Sequence, residues 1–203
     1  MNKNFDNNGF KYVDLDLPSH TLWATCNVGA DKPSDCGLYF QWGDVQGYTA
    51  DQVGEGEGKK AFTWDGYNWK WNNTKINIKY TTTDKALELE DDAAHVLMGG
   101  DWHVPTPNQL QELFDNTTSE WITIDGVNGR RFTSKNGKSI FIPATGYAWG
   151  GSVYGCGDSG FVWSSALSAS NVNNGHSLGF DSGDVYLYGY GRNNGFSVRG
   201  VIG

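Results

Sequence analysis

Apolar and polar positions in this chain alternate in short runs, mostly with the period of two that marks a half-buried strand. Residues 11–17 (KYVDLDL) alternate until Pro18-Ser19 breaks the run, and 21–25 (TLWAT) resumes it, predicting a hairpin. Residues 37–42 (GLYFQW) predict a short aromatic strand. Residues 121–124, 130–134 and 138–142 read as a meander ended by Pro143 and Gly146, with Asn136-Gly137 as its strongest hairpin signal. Residues 176–181 and 184–190 predict another hairpin turning at Ser182-Gly183, and 196–202 (FSVRGVI) a final strand.

Two segments carry the helical period instead. Residues 91–98 (DDAAHVLM) place acidic side chains in a first turn and Gly99-Gly100 after the last, as the helix dipole and a left-handed C-cap favour. A second helix starts at Thr106, an N-cap, with Pro107 at the first helical position and Gln109 at capping-box spacing. Its Leu110, Leu113 and Phe114 fall on one face. Two short helices among many short strands predict an α+β fold. No linker of proline, serine or charge divides the 203 residues, so 1–203 read as one domain.

Residues 48–73 fit neither period. Gly54, Gly56, Gly58 and Gly66 alternate irregularly with Trp64, Trp69 and Trp71, which reads as a long insertion pinned by aromatics. Its VGEGEGKK lacks Walker spacing, no Ser or Thr follows the lysines, and the glutamates would repel phosphate, so it reads as a solvated turn.

Composition narrows the function. Nine tryptophans supply a core despite the polar average. A net charge of −8 without a basic cluster argues against nucleic acid. No apolar run reaches membrane-spanning length, so membrane insertion is not expected, and MNKNFDNNGF lacks the apolar centre of a signal peptide. Cys26, Cys36 and Cys156 show no zinc spacing. Buried free thiols are favoured over a Cys26–Cys36 disulfide, which stays open.

Residues 164–191 (SSALSASNVNNGHSLGFDSGDVYLYGYG) contain no Lys, Glu, Gln, Trp or Met. Every residue type present can be reached from an Asn codon by changing only its adenines, and those five cannot. The alphabet is also that of antibody paratopes, where tyrosine gives contact area at low entropy cost and small polar residues adapt.

Six blocks carry a resemblance. They are YVDLDLPSHTLWATCNVGA (12–30), DCGLYFQWGD (35–44), LEDDAAHVLMGGDWHVPTPNQLQELF (89–114), SKNGKSIFIPATGY (134–147), VWSS (162–165) and RNNGFSVRGV (192–201). Together they resemble the variable proteins of diversity-generating retroelements in Bacteroidetes and their phages, on the formylglycine-generating-enzyme branch of the C-type-lectin fold. The resemblance implies a C-type-lectin-like α+β fold and a ligand-binding role, with adenine-directed mutagenesis rewriting the segment at about 164–191. It points to Ala166, Ser168, Asn171, His176, Ser177, Gly179, Asp181, Asp184, Tyr186, Tyr188 and Tyr190 as ligand-binding positions. Period-two geometry expects Leu178, Phe180 and Val185 in the core. Ser177, Gly179, Asp181 and the three tyrosines are expected exposed on one face, with His176 and Asp184 at its edge. His103 and Gly200 stand where the family usually has Arg and often Pro.

Catalytic readings fare worse. The formylglycine-generating relatives use two nearby C-terminal cysteines, and only Cys156 lies in that half. Cys156 with His176 would be a nucleophile and base without a third member. Glu90, Asp91 and Asp92 could hold calcium, but acidic residues opening a helix are more often dipole partners, and His95 with His103 are more often ordinary histidines than a metal pair. Trp23, Trp42, Trp102, Trp121 and Trp163 read as core, and Trp149 as an exposed stacking residue.

The expected protein is therefore non-enzymatic, with no cofactor or metal. It would present a variable surface to a protein or glycan receptor on a cell surface, from a phage tail or as a surface adhesin. The rival is a structural or assembly module. The C-type-lectin-like fold implies that the N- and C-terminal strands lie close, with Tyr12–Leu15 near Val198–Ile202.

Overall fold

The computed structural model describes residues 8–67 and 79–203. Trp69 and Trp71 of the expected insertion lie outside the described residues. The described residues form an α+β arrangement of two α-helices and four small antiparallel sheets. None of these helices is long and apolar enough to cross a membrane.

The N-terminal alternation gives β1 (Tyr12–Asp14) and β2 (Leu22–Ala24), paired antiparallel with Val13 opposite Trp23. The run at 37–42 does not form a strand. Its residues bridge singly to different partners, Tyr39 to Tyr48 and Phe40 to Phe196, because their rings serve separate clusters.

Helix α1 (Ala93–Met98) starts later than the sequence suggests. Leu89–Asp91 form a tighter 3-10 turn, and Asp92 is the N-cap, its carboxylate accepting from the His95 and Val104 amides. The acidic residues thus precede the helix rather than fill its first turn. Gly99, at φ 73°, ends it. Helix α2 (Pro107–Asn116) has the expected capping box between Thr106 and Gln109. Gln109 also donates to Thr21 and to the Gly203 carbonyl, tying the helix to the chain end. Leu110 and Leu113 are fully buried, whereas Phe114 is 43% exposed, because the buried stripe centres between the two leucines and leaves Phe114 at its edge.

The meander is β3 (Thr117–Ile124), β4 (Val127–Ser134) and β5 (Ser139–Pro143), with Gly137 at φ 79° in the Asn136-Gly137 turn. A small hairpin follows, β6 (Tyr147–Trp149) and β7 (Ser152–Tyr154). Then come three long strands, β8 (Ser159–Ser168), β9 (Asn171–Asp181) and β10 (Val185–Gly191), in the order β10-β9-β8. The sequence pattern misses β8, since GFVWSS is buried on both faces and does not alternate.

The chain returns as β11 (Val201–Ile202), which pairs with β2. The terminal strands share one three-stranded sheet and so lie close together as expected, with β2 between β1 and β11. Just before it, Phe196 and Ser197 bridge to Phe40 and Val162, and the fully buried Arg199 donates to the Ala24 and Phe141 carbonyls and to Asn27. One hydrophobic cluster joins α2, β4 and β5 to one face of the three long strands. A second, around Trp42, Trp102, Trp163 and Phe196, lies on the other face.

Candidate functional site

The β10-β9-β8 sheet sorts its side chains by strand period. Val185 pairs with Phe180, Leu187 with Leu178, and Val162 also with Leu178. Cross-strand partners share a face. Leu178 and Phe180 are fully buried and Val185 is 6% exposed, all within the cluster that contains Leu110 and Leu113.

On the opposite face Tyr186, Tyr188 and Tyr190 of β10 stand across from Gly179, Ser177 and Gly175 of β9. Tyr188 is 64% exposed. Tyr186 and Tyr190 are half-buried and pack on Phe161, with centroids 6.4 and 5.3 Å away. Burial pushes the Tyr186 hydroxyl up to about 12, helped by the neighbouring Tyr190 and by Asp181 and Asp184 nearby.

This arrangement corrects the expected exposure of Ser177 and Gly179. Both are buried, because the rings of the edge strand lie across the small residues of β9. A Cβ on Gly179 would stand 2.3 Å from Tyr186 Cε2. Ser177 Oγ donates to the Tyr188 carbonyl at 3.1 Å. The two positions floor the tyrosine face rather than project from it.

The remaining candidates lie at the ends or on the other side. Asp181 is half-buried at the β9–β10 turn, where its carboxylate accepts from the Gly183 and Asp184 amides, and those bonds hold it below the ordinary carboxyl range. Asp184 is exposed beside it. His176 follows the alternation of Leu178, away from the tyrosines, and so is not at the edge of their face. It is half-buried, its Nδ1 has no hydrogen-bond partner among the described residues, and burial lowers its pKa below the usual 6.5. Ser168, half-buried, lies against the bare side of Gly189, 2.7 Å from where a Cβ would stand. Asn171 is exposed at the β8–β9 turn, and Ala166 is half-buried where it bridges Ala86. The fold therefore brings together the tyrosines but not the whole candidate set.

Buried Arg192 braces this end of the sheet. It donates to Tyr67 Oη at 2.9 Å and to the Val172 and Tyr80 carbonyls, with its guanidinium 5.0 Å from the Trp42 ring centroid. Arginine suits this place because its planar fork satisfies several acceptors and stacks on rings at once.

An aromatic cleft next to the tyrosines escaped the sequence pattern. Tyr147, Trp149, Phe161, Tyr190, Asn194 and Phe196 line an open cavity of about 540 Å³. Trp149, the expected stacking residue, is 55% exposed at the β6–β7 turn. The signal was present in Gly150-Gly151, a two-residue hairpin cue between short alternating runs.

The other chemistry is already engaged. Lys79 bonds to Glu88, Glu90 and Asp91, so an ammonium occupies the one acidic triad close enough for a cation among the described residues. Against the burial that would lower it, these bonds hold Lys79 well above the ordinary lysine range. His103 meets the Val104 and Gly203 carbonyls rather than His95. All three cysteines are free, but none is fully buried, and Cys156 is exposed. Cys36 is raised in pKa by burial and by the nearby Cys156, so Cys156 neighbours a thiol. No family model, curated protein or solved structure matches this chain.

Proposed function

We propose that this chain is a ligand-binding protein of the C-type-lectin-like fold, without catalytic chemistry of its own. Residues 164–191 would be diversified by a retroelement, and β10 would present them to a protein or glycan receptor on a cell surface. A phage tail or a cell surface would carry it.

The observation that carries this reading is the two-sided character of β10. Val185 is buried in the core, while Tyr188 on the neighbouring face is 64% exposed between Tyr186 and Tyr190. Replacing a large core side chain by alanine costs about 2–5 kcal/mol, whereas surface changes stay mostly within about 0.5 kcal/mol. A strand anchored on one face tolerates variety on the other. An exposed tyrosine flanked by two half-buried ones is an aggregation liability unless it serves contact.

Two libraries test the reading, one randomised at Tyr186, Tyr188 and Tyr190, the other at Leu178, Phe180 and Val185. Most of the first should resist protease and little of the second should. Equal loss in both would refute a displayed variable face. Sequencing the flanking DNA should find a reverse transcriptase and a near-copy of the segment carrying AAC codons, and a locus without them would remove the diversification.

A further inference from the structure

We propose that the cleft between the β6–β7 hairpin and β10 is a glycan subsite for a neutral pyranose ring stacked on Trp149, its chemistry set by residues outside the diversified segment. The proposal rests on the reading of β10 as a ligand face and names the ligand class.

The cleft is built as floor and walls. Phe161 and Phe196 stack at 4.8 Å with 25° between planes. Tyr147 and Tyr190 stand nearly perpendicular to Phe161, at 84° and 79°. Trp149 forms the rim, and its position is fixed despite its exposure. Its neighbour Gly150 exchanges both backbone hydrogen bonds with Phe62, at 2.7 and 3.0 Å. Its ring leans on Tyr154, which stacks on Tyr147. An exposed indole held this way is preorganised, so little ordering opposes binding.

Size and lining select the ligand. About 540 Å³ lies in the range of about 300–1,000 Å³ typical of ligand sites and is roomy for a lone methylated ammonium. None of the lining residues is charged, so a cation finds no carboxylate and an anion no basic group. The polar groups are the Tyr147 and Tyr190 hydroxyls and the Asn194 amide, which makes no side-chain hydrogen bond among the described residues. An amide and hydroxyls both donate and accept. A pyranose offers an apolar C–H face to the rings and a rim of hydroxyls to these groups. A partner's phenyl ring would fill the floor but leave the amide unanswered.

Only Tyr190 of the lining belongs to residues 164–191. Diversification at β10 would then change which sugar or linkage is preferred while the fixed rings keep the ligand class.

The test titrates the full chain with the methyl glycosides of glucose, galactose, mannose, N-acetylglucosamine and fucose, read by saturation-transfer NMR. N-acetyl-tyrosinamide and tetramethylammonium serve as rival probes. At least one glycoside should bind through its ring C–H protons. Trp149→Ala and Asn194→Ala should each weaken its Kd at least about tenfold with Tm unchanged. The proposal falls if no glycoside binds, if a rival probe binds instead, or if Trp149→Ala leaves the Kd unchanged. If the tyrosine library folds and no glycoside binds, the subsite is lost and the variable face stands. If a glycoside binds as described and that library unfolds, the subsite stands and the variable face is lost.

Discussion

The ring of Tyr186 lies across the bare Cα of Gly179, its register partner on β9, so that an added Cβ would sit 2.3 Å from Cε2. An aromatic side chain covering a cross-strand glycine recovers packing that the glycine cannot supply. It also couples the two positions. Gly179 can vary freely only if residue 186 gives way.

Gly179→Ala should therefore destabilise the protein by about 1–3 kcal/mol, the usual cost of overpacking. In a Tyr186→Ala background the same change should be nearly neutral, giving a coupling energy of about 1–3 kcal/mol. Urea denaturation of the four proteins in the cycle measures it. Additive effects would show that the ring does not fill the space over Gly179.

The three tyrosines should not respond alike. Tyr188→Ala should change stability by no more than about 0.5 kcal/mol, as at most surface positions. Tyr190→Ala removes a half-buried ring from Phe161 and Phe196 and should cost about 1.5–2.5 kcal/mol, near half the penalty for a fully buried aromatic. Replacing all three tyrosines is thus not silent for the fold. A Tyr188→Ala variant as unstable as Tyr190→Ala would mean that Tyr188 is packed in solution.

His176 should make stability acid-sensitive. Burial lowers its folded pKa below 6.5, so the unfolded chain binds the proton more readily. Stability is then full above the unfolded pKa and falls as pH drops through it toward the folded value. Between about pH 7 and 5, His176→Gln should flatten the loss relative to the parent in thermal melts. Identical slopes would remove His176 as the cause.

Oxidation should join Cys36 to Cys156 rather than to Cys26, because Cys156 lies near enough to Cys36 to raise its pKa and Cys26 does not act on it. Treatment with diamide should remove both thiol hydrogens and yield a Cys36–Cys156 linked peptide on mass spectrometry. The reaction should quicken with rising pH, since burial and the neighbouring thiol raise Cys36 and the thiolate is the attacking form. A Cys26–Cys36 peptide as the main product would contradict this.

The sequence alone determined what neighbours along the chain can settle. The Thr106–Gln109 capping box, the Asn136-Gly137 turn and the inward set of Leu178, Phe180 and Val185 follow from spacing, because each depends on contacts a few residues away or on strand period. The restricted alphabet of residues 164–191 is likewise written in the chain. Tertiary structure decided what covers each face. Ser177 and Gly179 have the parity of exposed positions, yet rings from β10 close over them. Lys79 fills the acidic triad from outside the helix, and β11 takes the open edge of β2. The aromatic cleft draws Tyr147, Phe161, Tyr190 and Phe196 from four separate segments, which no local period records. Period fixes where a side chain points, and only the packing of distant segments fixes what it meets there.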